Sequence, residues 1–176
     1  MKKFELTAEF VTNVFGKKLF RIKALVAFGN VEKGELGGFI EKEDNLSHDG
    51  DAWVFGNAQV FDNAQVFGDA RVCGNAQVFG DARVSGNAQV FGNADYAVVA
   101  GFGRYFRTTT FFRCKDKILR VQCGCFYGDL AQFREIVKKT HGDSKYAKEY
   151  LAIADLMELH FSDKCGGEQM NDGKIY

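Results

Sequence analysis

Histidine and cysteine are the residue types here that could serve as general base, nucleophile or soft-metal ligand. The three His are His48, His141 and His160, and the five Cys are Cys73, Cys114, Cys123, Cys125 and Cys165. Cys114, Cys123, Cys125 and His141 have the ligand types of a zinc site. However, Cys123-Gly124-Cys125 is a C-x-C step where zinc modules use C-x2-C, and a second close cysteine pair is missing. Small core cysteines on strands account for them better, so neither a metal nor a cofactor is expected. An odd cysteine count behind a start that is not a signal peptide favours reduced thiols. Neither Gly-x4-Gly-Lys-Ser/Thr nor Gly-x-Ser-x-Gly occurs, and Gly101-Phe102-Gly103 is too short to cradle a phosphate. No catalytic residue is assigned.

A second kind of chemistry is binding by cations interleaved with aromatic rings. Residues 101–120 carry Arg104, Arg107, Arg113, Lys115, Lys117 and Arg120 against one acid, Asp116, with Tyr105, Phe106, Phe111 and Phe112 between them. That mixture suits nucleic acid or an acidic protein groove. A hairpin with its rings inward and its cations in solvent explains it equally well. The formal net charge of zero hides a division: residues 1–37 sum to +3, residues 38–97 to −6 and residues 98–176 to +3. The acidic middle could itself mimic nucleic acid in a cationic channel.

These residues need elements to hold them, and the strongest element signal is a repeat. Gly-Asn/Asp-Ala-x-Val-x recurs as eight hexads from Gly50 to Ala97, with Ala in every third slot from Ala52 to Ala94. The fifth slot holds Val54, Val60, Val66, Val72, Val78, Val84 and Val90, and then Tyr96. Period two within a unit places Ala and Val on one face of a short strand, and Gly with Asn or Asp turns the corner. A six-residue period excludes a coiled coil, and Gly-Gly-x-Gly-x-Asp is absent, which sets the chain apart from calcium-binding β-rolls.

Upstream, KFELTAEFV and LFRIKALVAF flank a Gly16-Lys17-Lys18 turn and read as a hairpin. Residues 34–50 place Ile40 and Leu46 in the Ala slot with Lys42 and His48 where Val should stand, which reads as a cap and not a further coil. Downstream, RYFRTTTFFRC and ILRVQCGCF read as strands around Lys115-Asp116-Lys117. Asp129 is placed to N-cap a helix to about Lys139 that Gly142 ends, and a second helix spans Ser144 to Phe161. The expected organisation is a β cap over 1–37, repeats over 38–97, an α+β unit over 98–161 and a loose tail over 162–176. MKKFELTAEF alternates too much for a signal peptide, and no run approaches the ~18 apolar residues of a membrane span. A soluble, cytoplasmic protein without a membrane partner is expected.

The GNA repeats, together with FGNVEKGELGGFIEKEDNLS and CGCFYGDLAQF…THGDSKYAKEYL, resemble phage- and prophage-encoded hexapeptide-repeat proteins of the polymer-forming type. The likeness covers nearly the whole chain. It implies a mainly β fold: a short left-handed parallel β-helix with an N-terminal hairpin cap and a small C-terminal α+β domain. In such a fold three hexads make one coil of eighteen residues, so eight make about two and two-thirds coils. Some phage accessory proteins inhibit bacterial defence, anti-CRISPR proteins among them, and the resemblance implies a host cytoplasm and a host protein partner.

Residues eighteen apart then stack, and the slots beside Val point outward as a row of Phe55, Phe61, Phe67, Phe79 and Phe91. Trp53, Arg71 and Arg83 share the outer surface. A Phe can bury roughly 150–250 Å², and so many outer rings exceed the apolar patch of a typical monomer. These eight residues are therefore the candidate partner-binding set, covered by another chain or by the C-terminal domain. Three readings stay open: a non-catalytic binder of a macromolecule, a self-assembling homo-oligomer, and an acyltransferase-like enzyme. The last lacks a His or an inserted loop within the hexads. Asp51 over Asp69 would set like charges in register, a cost unless solvent or a cation screens them.

Overall fold

Alternating apolar residues at the start of the chain form the expected hairpin in the computed structural model, which describes residues 1–162: β1 (Phe4–Thr12) pairs antiparallel with β2 (Lys18–Ala24). Next, β3 (Leu36–Ile40) pairs antiparallel with β2. The repeats follow as two-residue strands: β4 (Trp53–Val54), β5 (Gln59–Val60), β6 (Gln65–Val66), β7 (Arg71–Val72), β8 (Gln77–Val78), β9 (Arg83–Val84) and β10 (Gln89–Val90). The chain visits three parallel sheets in rotation. Trp53 lies beside Arg71 and Arg71 beside Gln89, Gln59 beside Gln77, and Gln65 beside Arg83, each eighteen residues apart as the resemblance implies. The Ala and Val slots from Ala52 to Val90 are buried throughout. Burying a Val is worth about 1.5–3 kcal/mol relative to exposure, so two columns of small side chains suffice to hold a narrow stack.

The segment read as a cap is a further coil, displaced by two residues. Ile40 pairs with Val60 and Leu46 bridges to Val66, an offset of twenty, so both occupy the Val column and not the Ala slot. The extra two residues made the pattern look out of phase. Gly38 stands in the Ala column, where a Cβ would lie 2.6 Å from the Ala58 carbonyl oxygen and 2.7 Å from Val54 Cγ1. Asn45, fully buried, fills the corner and donates to the carbonyls of Asp62 (3.2 Å) and Ala64 (2.8 Å).

After the last coil, β11 (Tyr96–Phe102), β12 (Arg107–Arg113), β13 (Leu119–Cys123) and β14 (Phe126–Asp129) form an antiparallel meander. Then come α1 (Leu130–His141), N-capped by Asp129, which accepts from the Gln132 N–H at 2.8 Å, and α2 (Lys145–Ser162). One sheet face, with Phe111 and Val121, packs on Phe133, Val137, Tyr150 and Ala154 of the helices. The other face closes the stack: Phe112, Tyr96 and Cys114 join the Ala/Val core. Cross-links reinforce the junction, with the Arg83 N–H donating to Thr110 Oγ1 (3.0 Å) and Ser85 Oγ to Gln122 Oε1 (3.0 Å). Of the segment 162–176 expected as a tail, Ser162 ends α2, and the rest, with Cys165, lies outside the described residues. Among those described, no helix is long and apolar enough to cross a membrane.

Candidate binding surfaces

The outer aromatic row divides into rings the fold covers and rings it leaves open. Phe61 stacks on Phe79 with centroids 5.2 Å apart and planes at 8°. Phe61 is nonetheless buried, packed by Leu19, Phe39 and Val11 with Phe15 at 6.1 Å. Its cover is the β1–β2 hairpin, neither another chain nor the C-terminal domain. Trp53 is likewise not an outer residue: it lies fully buried against Phe28 (5.3 Å) and Phe4 (6.2 Å). The loop after β2 folds back over the first coil, and that long-range contact converts an outward slot into core. Phe55 and Phe67 are half-buried, with the guanidiniums of Arg71 and Arg83 at 5.8 and 5.3 Å from their centroids. Those two arginines are cation–π partners within the chain. Phe79 and Phe91 remain open, 42% and 58% exposed.

Phe79 does not stand alone. With Tyr96, Val98 and Ala100 it lines a cleft of about 560 Å³ between the coil and the overhanging β11, and Phe15 lies 6.5 Å from its ring. Among the described residues β11 pairs only with β12, so its outer edge is free. Tyr96 reaches back to donate to the Gln77 carbonyl, and burial pushes its phenol up to about 12. Phe15 and Val98 escaped the sequence reading. The signal for Phe15 was Val14-Phe15 in a turn where polar residues are usual.

Ionic contacts fix the caps. Lys17, in the hairpin turn, bonds Asp62 at 2.5 Å and Glu41 at 3.1 Å. Lys17 holds the Asp62 carboxyl below the usual carboxylate range, helped by the Gly80 N–H. Asp62 stands at φ 61, where each of the other seven hexads has Gly. Buried Lys3 donates to the carbonyls of Gly50 (3.1 Å) and Ala52 (2.9 Å) and supplies the cation that screens Asp51 and Asp69. Burial lowers its pKa to about 8, against the pull of Asp51, Asp49 and Asp69.

The six cations of residues 101–120 do not form one patch. Arg120 grips Asp116 through two bonds of 2.7 and 2.6 Å, which holds the Asp116 carboxyl down at about 2. Arg113 donates to the Phe161 carbonyl at 2.7 Å and faces Asp95 at 3.7 Å, so it ties α2 to the sheet. Lys115 and Lys117 are exposed at one end of β12, and Arg104 and Arg107 at the other. Seven residues of strand, about 20 Å, separate the two ends.

At the second end lies a cavity of about 210 Å³ between sheet and helices, lined by Cys123, Cys125, Phe126, Phe133, His141 and Tyr150, with Arg104, Tyr105 and Arg107 at its mouth. Cys123 Sγ accepts from Thr109 Oγ1 (3.2 Å), and burial raises the Tyr150 phenol to about 12. The zinc combination is not assembled: Cys114 sits in the coil core, away from Cys123 and Cys125, and no group of three metal-ligating side chains occurs among the described residues. His48 stacks on Phe4 at 4.3 Å and accepts from the Lys3 N–H (3.1 Å), while His160 lies against Phe161.

Residues 64–78 and 76–92 match a family described as the YdcK beta solenoid repeat. The central coils are β-solenoid repeats. The matches fall on the central coils, where the eighteen-residue stacking is regular, and leave both capping units outside. No curated protein matches the chain.

Proposed function

We propose that the protein is a non-catalytic binder of another protein, with the solenoid as a rigid post and the cleft beside Phe79 as its contact face. The observation that carries this reading is the open cleft of Phe79, Val98 and Ala100 beside Phe15, apolar surface that neither cap covers among the described residues. Rings held on rigid rungs lose little entropy on docking, and buried aromatic anchors dominate interface energies. In this reading the solenoid is left-handed and of the hexapeptide kind, and the chain is a phage or prophage accessory protein acting in the host cytoplasm on a defence protein such as a nuclease. The resemblance of its repeats and C-terminal motif to phage-encoded proteins supports that part, and the −6 charge of residues 38–97 suits a cationic target.

A photo-cross-linking residue at position 79, compared with one at Lys33 on the exposed upper loop, tests the contact face in a bacterial host. A specific heterologous adduct from position 79, lost with Phe15→Ser, supports the assignment, and its absence removes it. The free edge of β11 favours a second reading, self-assembly by strand pairing. Sedimentation separates the two, since a monomer at high concentration rejects self-assembly.

A further inference from the structure

The cavity at the β11–β12 hairpin is independent of the cleft at Phe79, and its walls and mouth differ in chemistry. The walls are apolar and aromatic, with the Phe133 ring edge-on to Tyr150 at 5.8 Å and 5.6 Å from Phe126. The mouth is cationic: neither Arg104 nor Arg107 meets a carboxylate among the described residues, and both flank Tyr105, at 5.6 and 5.1 Å from its centroid. Two unneutralised guanidiniums beside one apolar cavity leave a charge that a ligand can match.

The mouth is also held in place. Phe106 sits at φ 51 and is 72% exposed, a left-handed conformation that bulky side chains avoid and that marks functional turns. The turn keeps this shape because buried Gly103 donates its N–H to Glu149 at 2.9 Å and packs where a Cβ would meet the Tyr150 hydroxyl at 2.2 Å. Across the mouth, Arg107 lies over the Cys123–Cys125 turn, where a Cβ on Gly124 would fall 2.6 Å from Nη1. Glu149, next to Tyr150 in α2, is engaged by Gly103 and Lys145.

We propose that this cavity binds a small aromatic anion, its ring between Phe126, Phe133 and Tyr150 and its carboxylate or phosphate on Arg104 and Arg107. A cavity of about 210 Å³ has room for one or two fused rings. Tyr150 stays protonated at neutral pH and donates to the Phe102 carbonyl at 3.4 Å, which holds its ring as a neutral wall of the cavity.

The probes are 2-naphthoate, 2-naphthyl phosphate and neutral 2-naphthalenemethanol, added to the full chain. One readout is methyl NMR shifts of Ile136 and Val137, which line the cavity. The other is the alkylation rate of Cys125 and Cys123, resolved by mass spectrometry. The proposal expects saturable shifts and slowed alkylation with either anion, and affinity roughly tenfold weaker in Arg107→Ala, the loss of one charge-assisted hydrogen bond. Arg107→Lys should retain part of the affinity. The carboxylate and phosphate arms tell which anion is preferred. Equal binding of the alcohol, unchanged affinity in both Arg104→Ala and Arg107→Ala, or no response to either anion overturns it.

Discussion

Replacing Phe61 and Phe79 separately by Ala distinguishes a covered ring from an open one. The two stack face to face 5.2 Å apart, yet Phe61 is 1% exposed and Phe79 42%. Phe61→Ala removes a ring enclosed by Leu19, Phe39, Val11 and Phe15, and a cavity of that kind costs about 3–5 kcal/mol. Phe79→Ala forfeits roughly half the transfer energy of a Phe and the same stacking term, about 1–2 kcal/mol in all. For a chain of this size each kcal/mol moves the Tm by about 2–4 °C. Thermal unfolding followed by circular dichroism should therefore show a loss of about 6–20 °C for Phe61→Ala and about 2–8 °C for Phe79→Ala. Phe15→Ala should destabilise the wild type more than it does Phe61→Ala, because Phe15 covers that ring. If Phe61→Ala is no more harmful than Phe79→Ala, the hairpin does not cover the row, and the division between covered and open rings is wrong.

Lys3, with a folded pKa of about 8 below its unfolded 10.5, sheds its proton first in the folded state, so folding stability should rise between those pH values. Urea titrations at pH 7.5 and 9.5 should show the wild type gaining up to about 2 kcal/mol relative to Lys3→Met, and a flat difference would contradict the burial of that ammonium. Gly103→Ala, at φ +73 against the Tyr150 hydroxyl, should destabilise by about 1–3 kcal/mol. Tyr150→Ala, which takes away the ring as well as the hydroxyl that the new Cβ would strike, should cost less beside Gly103→Ala than in the wild type, whereas strict additivity would mean the two groups do not touch. At Asp62, φ 61, the Gly common to the other hexads should be tolerated better than Ala, with the larger fall in Tm for Asp62→Ala.

Local periodicity made the short repeat strands and both helices legible, because each depends on neighbours in the chain, while the eighteen-residue stacking came from the resemblance to hexapeptide-repeat proteins. Contacts closed over long separations were not legible. Trp53 reads as outward by its slot, yet Phe28 and Phe4 bury it from the other side. Ile40 and Leu46 read as Ala-slot residues because two inserted residues shift the register, and only pairing with Val60 and Val66 restores it. Cations at Arg113 and Arg120 look free in a line of text, but Phe161 and Asp116 occupy them. The strain at Phe106 leaves no trace in composition at all.

The two-residue strands also set an angular rule for the molecule. One hexad advances the chain by one face of three, while three hexads return it to the same face one rung lower. A lineage that gained or lost a whole coil would lengthen the post and keep its two capping units in phase. A change of a single hexad would instead swing the C-terminal unit round by a third of a turn and carry Val98 away from the side on which Phe15 stands. The composite cleft can thus survive changes in repeat number only in multiples of three, so repeat count and cleft are inherited together.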